Sequence, residues 1–174
     1  MKTQVYVDES KSRDYVVAAA VVVPGDVASL RRSLRNLLPR GQRRLHMVNE
    51  KPPLRRKILS ALNDERVAVD LYVAGEPYAT NIDRRRACLE RLVEDVASHC
   101  IALTLESDRT QDRRDQRDLI EITRRVGCRD LRYDHRTPYE EPLLWIPDAV
   151  GWAYARGGEW RQCVQPVINK IVDV

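Results

Sequence analysis

Two short apolar segments of the chain end abruptly in acidic residues. Residues 5–7 (Val-Tyr-Val) run into Asp8-Glu9-Ser10, and residues 101–105 run into Glu106-Ser107-Asp108. A charge at the end of a buried strand is costly unless it has a metal, a cationic partner or a capping role. Functional groups gather at strand ends in sheets of this kind, so Asp8 and Glu106 meet if their strands are parallel neighbours. Simple capping of the following turn by Asp8 or Ser10 is the alternative.

Asp148 is a third acid in an unusual place. In a helix over residues 141–155 it shares the apolar face with Leu144, Trp152 and Ala155. A buried helical aspartate has to be paired, protonated or metal-bound. The pattern favours a functional site, and the alternative is an ion pair with an arginine or a hydrogen bond from a Trp indole.

Three further residues are weaker candidates. Asp115 leans inward on the preceding helix, in register with Leu119, and the nearby arginines 113, 114 and 117 are possible neutralising partners. Glu50 precedes a helix start, where an acid is favoured electrostatically in any case. His46 is of a type that is more often packed in a loop than catalytic, and two other histidines lack any ligand spacing, namely His99 and His135.

A cluster of carboxylates suits hard divalent cations such as Mg²⁺ or Mn²⁺, which take oxygen ligands. Three or four carboxylates can hold two such ions roughly 3.5–4 Å apart, on both sides of a reacting phosphodiester. A nearby histidine can transfer protons. The chain contains no phosphate-binding glycine loop, no His-Glu-x-x-His and no Gly-x-Ser-x-Gly, so nucleotide-driven, zincin and serine-hydrolase chemistry lack their motifs.

Composition sets the wider frame. The net charge is +4 and arginine outnumbers lysine, which suits a nucleic-acid partner, although base composition of the genome also inflates arginine. The sequence contains no long uncharged apolar segment that would predict a membrane span. The start Met-Lys-Thr-Gln leaves no room for a signal peptide, and four widely spaced cysteines are expected in the core of a reduced protein. We therefore expect one cytoplasmic domain over residues 1–174.

Apolar runs and turn signals predict the elements that position the acids. The predicted strands are residues 5–10, 15–23, 67–74, 101–105 and 131–135, and the predicted helices are residues 26–38, one from Pro52, one from Thr80, and residues 110–126, 141–155 and 160–172. The first two strands form an antiparallel hairpin, and the second is apolar on both faces and so lies inside the sheet. The later alternation predicts an α/β fold with a mixed sheet, the hairpin plus parallel strands, covered by helices on both faces.

These motifs together resemble the bacterial domain-of-unknown-function family 3800, which is regarded as ribonuclease H-like. The resemblance covers nearly the whole chain and rests on four segments, which are Asp8-Glu9-Ser10, Leu45-His46 with Glu50, Leu105-Glu106-Ser107, and Glu141 to Trp145 through Asp148. It implies four metal-binding carboxylates at Asp8, Glu50, Glu106 and Asp148. Two features depart from the ribonuclease H pattern. Only two strands precede the first helix instead of three, and the fourth strand ends in a glutamate instead of an aspartate, with Asp108 as its rival.

The resemblance and the acids predict a nuclease that uses Mg²⁺ or Mn²⁺ to hydrolyse RNA or DNA. His46 would assist proton transfer or product release, and other acids would contact the ligands without binding ions themselves, namely Glu9, Asp108 and Asp115. Phosphates would be bound by the nearby arginines Arg43, Arg44, Arg55, Arg56, Arg113 and Arg114. The first alternative is a catalytically inactive ribonuclease H-like module that binds nucleic acid or protein. A second is a structural protein whose acids are tied to arginines. The Trp160 region is a candidate homodimer interface.

Overall fold

The computed structural model describes all residues from Met1 to Val174, and its six strands form one mixed sheet. The strands are β1 (Thr3–Ser10), β2 (Tyr15–Val22), β3 (Ala68–Ala74), β4 (Cys100–Glu106), β5 (Arg132–Arg136) and β6 (Ile168–Asp173), in the order β5-β4-β1-β2-β3-β6. β2 is antiparallel to both β1 and β3, whereas β4 is parallel to β1 and to β5. The predicted hairpin and the parallel pairing of the two acid-ended strands are therefore confirmed.

Helices cover both faces of the sheet, as predicted. They are α1 (Val27–Arg35), α2 (Pro52–Asp64), α3 (Asn81–Val96), α4 (Asp112–Val126), α5 (Trp145–Arg156) and α6 (Gly158–Val164). Alternate side chains of β2 enter two separate cores. Val16, Ala18 and Ala20 belong to a core of 25 buried residues shared with α1, α2, α5 and α6. Val17 and Ala19 belong to a core of 18 buried residues shared with α3 and α4. A strand that is apolar on both faces thus separates the two layers of helices.

Several helix ends follow from local sequence. Pro52 occupies the first turn of α2, where its missing N–H is no loss. The Thr80 hydroxyl accepts a hydrogen bond from the backbone N–H of Asp83 at 3.1 Å and caps α3, as the Thr-x-x-Asp spacing predicts. Gly127 ends α4 with φ of 82°, a left-handed conformation that glycine adopts without strain.

The predicted helix over residues 160–172 is wrong in its second half. α6 ends at Val164, a 3₁₀ turn covers Gln165–Val167, and Ile168–Asp173 forms the edge strand β6, parallel to β3. Pro166 explains the stop, because it lacks the N–H that a continuing helix needs. The following residues alternate between half-buried and exposed positions, a period that fits a strand.

The third antiparallel strand expected of the ribonuclease H pattern is present in the sheet. β3 pairs with β2, but it follows α1 and α2 instead of preceding the first helix. This order explains why the sequence predicts only two strands before the first helix. None of the six helices is long and apolar enough to cross a membrane.

The structure bears on two expectations, the burial of the cysteines and the exposure of the Trp160 region. Of the four free cysteines, Cys88 and Cys100 are buried as expected, whereas Cys128 is half-buried and Cys163 is exposed. The Trp160 ring packs edge-on against Trp152, with 5.3 Å between ring centroids. The ring is therefore in contact with another residue of the same chain. The homodimer stays a prediction.

Candidate active site

The ends of β1 and β4 place two carboxylates side by side. Val7 and Leu105 are the last paired residues of these parallel strands, so Asp8 and Glu106 follow at the same edge of the sheet. Because side chains alternate along a strand, Asp8 lies on the same face as Tyr6, which belongs to the core that α5 covers. The meeting of the two strand-end acids that the sequence predicts is thus present in the fold.

α5 brings Asp148 to the same place. Gly151, one helical turn after Asp148, faces Ala18 and Ser10. A Cβ on this glycine would lie 3.6 Å from Ala18 Cβ and 3.8 Å from Ser10 Cβ. The helix therefore packs close against the hairpin strands. Asp148, Asp8 and Glu106 line one cleft of about 360 Å³, together with His46 from the loop before α2. We call this the carboxylate cleft.

Two backbone contacts fix the orientation of these acids. The N–H of Met47 donates to Asp148 Oδ2 at 2.9 Å, and the N–H of Glu9 donates to Asp8 Oδ1 at 2.7 Å. His46 Nε2 lies 3.8 Å from Asp148 Oδ1. Asp8 and Asp148 are therefore held by neutral N–H donors, which bring no positive charge to balance their own.

The carboxylate cleft strongly disfavours negative charge. Burial raises the pKa of Asp8 well above its usual range, and repulsion from Glu106 and Asp148 raises it further. Burial also raises the pKa of Glu106, although Arg44, 3.9 Å away, partly opposes this effect. Burial raises the pKa of Asp148 to about 6 despite the hydrogen bond from Met47. Glu106 Oε2 is buried and has no hydrogen-bond partner, which fits an acid whose natural partner is a cation.

Glu50 does not join the other three acids in this cleft. It is buried, and its Oε1 accepts hydrogen bonds from the N–H of His46 at 3.0 Å and from Gln42 Nε2 at 2.6 Å. The carboxylate therefore shapes the loop that carries His46. Its role as an ion ligand stays a prediction.

A second group of charges lies on the opposite face of the sheet. Its acids are paired, although His135 Nδ1 is buried without a hydrogen-bond partner. Arg85 of α3 donates to both oxygens of Asp115 at 2.7 and 2.8 Å, and to Glu9 Oε2 at 2.6 Å. His135 Nε2 lies 3.0 Å from Asp115 Oδ2. Burial alone would raise the pKa of Asp115, but the hydrogen bonds from Arg85 and His135 outweigh burial and lower it. We call Arg85, Asp115, Glu9 and His135 the Arg85 network.

Sequence reasoning misses the central residue of this network. It offers the neighbouring arginines as partners for Asp115, whereas the partner is Arg85 of another helix. A signal does exist, because Arg85 shares its helical face with the buried residues Cys88, Leu89 and Leu92. His135 lacks ligand spacing in the sequence, and only its contact with α4 reveals its role.

Asp112, Asp115 and His135 form the one group of three residues whose ligand atoms all lie within 4.8 Å of one another. Their types are compatible with a cation. However, both oxygens of Asp115 accept from Arg85, and Asp112 accepts from Ser107 Oγ at 2.7 Å and from the N–H of Asp108 at 2.8 Å. An ion at this position would have to compete with a buried guanidinium, so the group is better explained as part of the paired face.

The remaining predicted residues lie around these two groups. Asp108 accepts from the N–H of Thr110 at 2.9 Å and from Gln111 Nε2 at 3.1 Å, so it holds the turn before α4. Arg55 donates to the carbonyls of Met47 and Val48 and thereby supports the loop beside Asp148. The other predicted phosphate contacts differ in position. Arg43 and Arg44 flank His46, Arg56 pairs with Glu159, and Arg113 and Arg114 project from α4.

Comparison with known proteins defines the class of fold. No family model and no curated protein sequence matches the chain. Among solved structures, the chain is similar to the complex of PCNA and RNase HII from Archaeoglobus fulgidus, with a TM-score of 0.57 and 11% sequence identity, over 90% of this chain and 72% of that chain. At this identity the similarity shows the fold alone. The protein has a ribonuclease H-like α/β fold, and membership of the domain-of-unknown-function family 3800 stays a prediction.

Proposed function

We propose that the protein is a divalent-metal-dependent nuclease that hydrolyses phosphodiester bonds in the carboxylate cleft. The observation that carries this proposal is the contrast between the two faces of the sheet. On one face, Arg85 forms ion pairs with Glu9 and Asp115, and Lys11 forms a second ion pair with Glu9 at 3.0 Å. On the other face, Asp8 has no basic partner, and Glu106 and Asp148 have only Arg44 and His46 at 3.8 to 3.9 Å. Because the buried acids of the other face have basic partners, we infer that a bound cation balances the charge of these three.

The donor set suits Mg²⁺ or Mn²⁺, which prefer carboxylate oxygens and keep water or substrate phosphate in their other positions. The three acids do not form a group whose ligand atoms all lie within 4.8 Å of one another, unlike Asp112, Asp115 and His135. This spread fits ions whose coordination is completed by water and phosphate. Bound there, the ions would stabilise the charge that develops on the attacking and leaving oxygens.

The chain supplies orientation and proton transfer. Backbone N–H groups hold Asp8 and Asp148 in place, so neither carboxylate has to be reoriented when substrate binds. Burial, with a further contribution from Arg44, lowers the pKa of His46, which keeps the imidazole neutral at neutral pH. A neutral imidazole at the rim of the carboxylate cleft can accept a proton from the attacking water.

The direct test is calorimetric titration of the wild type and of Asp8→Asn with Mn²⁺ and Mg²⁺. We expect saturable binding to the wild type and no binding to Asp8→Asn, since the amide removes a charged ligand. Cleavage of labelled RNA and DNA oligonucleotides is then measured with and without metal. Equal metal binding by both proteins would show that Asp8 is not a ligand and would overturn the site.

His46→Ala is expected to slow cleavage by about 10²- to 10⁴-fold, the usual contribution of a general acid or base. Its metal affinity should match that of the wild type, because His46 is not among the proposed ligands. Single-turnover cleavage rates and calorimetric titration separate the two effects. Loss of metal binding in His46→Ala would instead make this histidine a ligand.

A non-catalytic nucleic-acid-binding module is the second candidate. The engagement of Glu50 in its loop favours it, because only three of the four carboxylates implied by the resemblance line the carboxylate cleft. This candidate predicts oligonucleotide binding that weakens steeply with salt and needs no metal. Metal-dependent cleavage that is lost with Asp8→Asn would exclude it.

A further inference from the structure

A second cleft adjoins the carboxylate cleft and contains an aromatic side chain that is exposed to solvent. This cleft has a volume of about 510 Å³, and its lining residues include Arg43, Arg44, His46, Glu50 and Tyr139. The Glu50 carboxylate in this lining accepts hydrogen bonds from Gln42 and from the N–H of His46. We call it the Tyr139 cleft. His46 lines both clefts, and Arg44 reaches from the Tyr139 cleft to within 3.9 Å of Glu106 Oε1. A ligand that spans the two clefts would therefore pass directly beside the proposed reacting centre.

Tyr139 is the one exposed aromatic residue of the chain, and 56% of its surface is accessible to solvent. The backbone just before Tyr139 is nevertheless anchored. The preceding Pro138 is buried, and the carbonyl of Pro138 accepts a hydrogen bond from Trp145 Nε1 at 2.8 Å. An exposed tyrosine on an anchored backbone segment is suited to stack against a planar ligand, because the side chain has only two torsion angles to fix on binding.

Two arginines complete this surface. The Cζ atoms of Arg43 and Arg44 lie 5.2 and 5.6 Å from the Tyr139 ring centroid. Arg43 forms no ion pair, and the closest carboxylate to Arg44 is Glu106 at 3.9 Å. Both guanidinium groups are therefore able to bind phosphate. Both guanidinium groups lie over the Tyr139 ring, so a base that stacks there takes the place of one of them, and Arg43 has no ion pair to break. An aromatic ring together with arginines is the combination that proteins use for unpaired nucleotides.

We propose that the Tyr139 cleft binds an unpaired nucleotide, whose base stacks on Tyr139 while Arg43 and Arg44 hold the adjoining phosphates. The inference rests on the proposed nuclease function and narrows its substrate to single-stranded nucleic acid or single-stranded ends. Duplex is a poorer ligand for this surface, because its bases already stack on one another and present only their edges. The strand would continue past His46 into the carboxylate cleft.

The test is fluorescence anisotropy with labelled single-stranded DNA and RNA oligonucleotides and with a matched duplex, all in EDTA so that no cleavage occurs. We expect the wild type to bind single strands at least tenfold more tightly than duplex. Tyr139→Ala should weaken single-strand binding by about 5- to 150-fold, which corresponds to the loss of one stacked base. Tyr139→Phe should stay within about twofold of the wild type, because the ring is kept.

The matched control is Tyr154→Ala. Tyr154 also has an arginine over its ring, with Arg161 Cζ at 4.3 Å from the centroid, but it lines neither cleft. It should leave oligonucleotide affinity unchanged. Equal single-strand binding by Tyr139→Ala and the wild type, or preference of the wild type for duplex, would overturn this inference and leave the nuclease proposal standing. Failure to bind any oligonucleotide in EDTA at low salt would also overturn this inference, whereas the nuclease proposal is overturned separately, by the absence of Mn²⁺- or Mg²⁺-dependent cleavage of single-stranded and duplex oligonucleotides.

Discussion

Asp148→Asn is expected to reduce metal-dependent cleavage by at least about 100-fold, because catalytic sites lose this much when one charge-stabilising group is removed. The same change should leave the free energy of unfolding of the metal-free protein unchanged or higher. The amide oxygen of the variant side chain can still accept the hydrogen bond from Met47, while repulsion among the three acids and the cost of burying one charge are relieved. Cleavage rates with Mn²⁺ and urea unfolding in EDTA measure the two effects.

Glu141→Gln is the matched control for this prediction. Glu141 is also buried and precedes the same helix, but Arg31 donates to both of its oxygens and its Oε1 accepts from the N–H of Leu143. Neutralising this paired acid should lower the free energy of unfolding by about 1–2 kcal/mol and leave cleavage intact. Full metal-dependent activity of Asp148→Asn would contradict the assignment of the site, whatever its stability.

The acids at the strand ends could be predicted because hydrophobic patterning is local. An apolar run that stops at Asp8 or Glu106 reports both a strand and its end, and one assumption about strand order brings the two together. Asp148 was visible for a similar reason, since its helical neighbours are apolar. In each case burying an unpaired charge is costly, and this cost alone predicts that the acid has a partner or a functional role.

The pairing of charges could not be predicted in the same way, because it depends on which face of the sheet each side chain takes. Asp8 and Glu9 are adjacent in sequence and both line the carboxylate cleft, yet only Glu9 binds Arg85 of α3. Asp115 resembles Asp148 in its pattern, but an arginine thirty positions away in the sequence neutralises it. Glu50 matches the resemblance by position, but its own loop uses its carboxylate. Long-range contacts decide these cases.

The edge strand β6 shows a further limit of prediction from the sequence. Residues 160–172 contain enough apolar positions for either a helix or a strand, and Pro166 gave a local reason to stop the helix. What makes Ile168–Asp173 a strand is the free edge of β3, which lies about a hundred residues earlier. A partner so distant along the chain cannot be found from periodicity.

Arg85→Met is expected to lower the free energy of unfolding by about 3–5 kcal/mol, the usual cost of removing one partner from a buried ion pair. The change leaves Asp115 charged, buried and without its two guanidinium hydrogen bonds, while Glu9 loses one. Urea unfolding monitored by circular dichroism measures the difference. A stability equal to the wild type would show that the Arg85 network does not neutralise these acids.

Two further variants make this prediction robust. Arg86→Met removes the side chain of the next residue of α3, whose partners are the half-buried Asp118 and the exposed Glu121, and should cost about 1 kcal/mol. If Arg85→Met fails to fold, Arg85→Met combined with Asp115→Leu should recover a folded protein, because the buried charge of Asp115 is then gone and Glu9 keeps its ion pair with Lys11 at 3.0 Å. Failure of this rescue, with Arg86→Met stable, would assign the defect to lost packing around Arg85. The same double variant should still bind Mn²⁺, since the carboxylate cleft lies on the opposite face of the sheet and keeps all three of its acids.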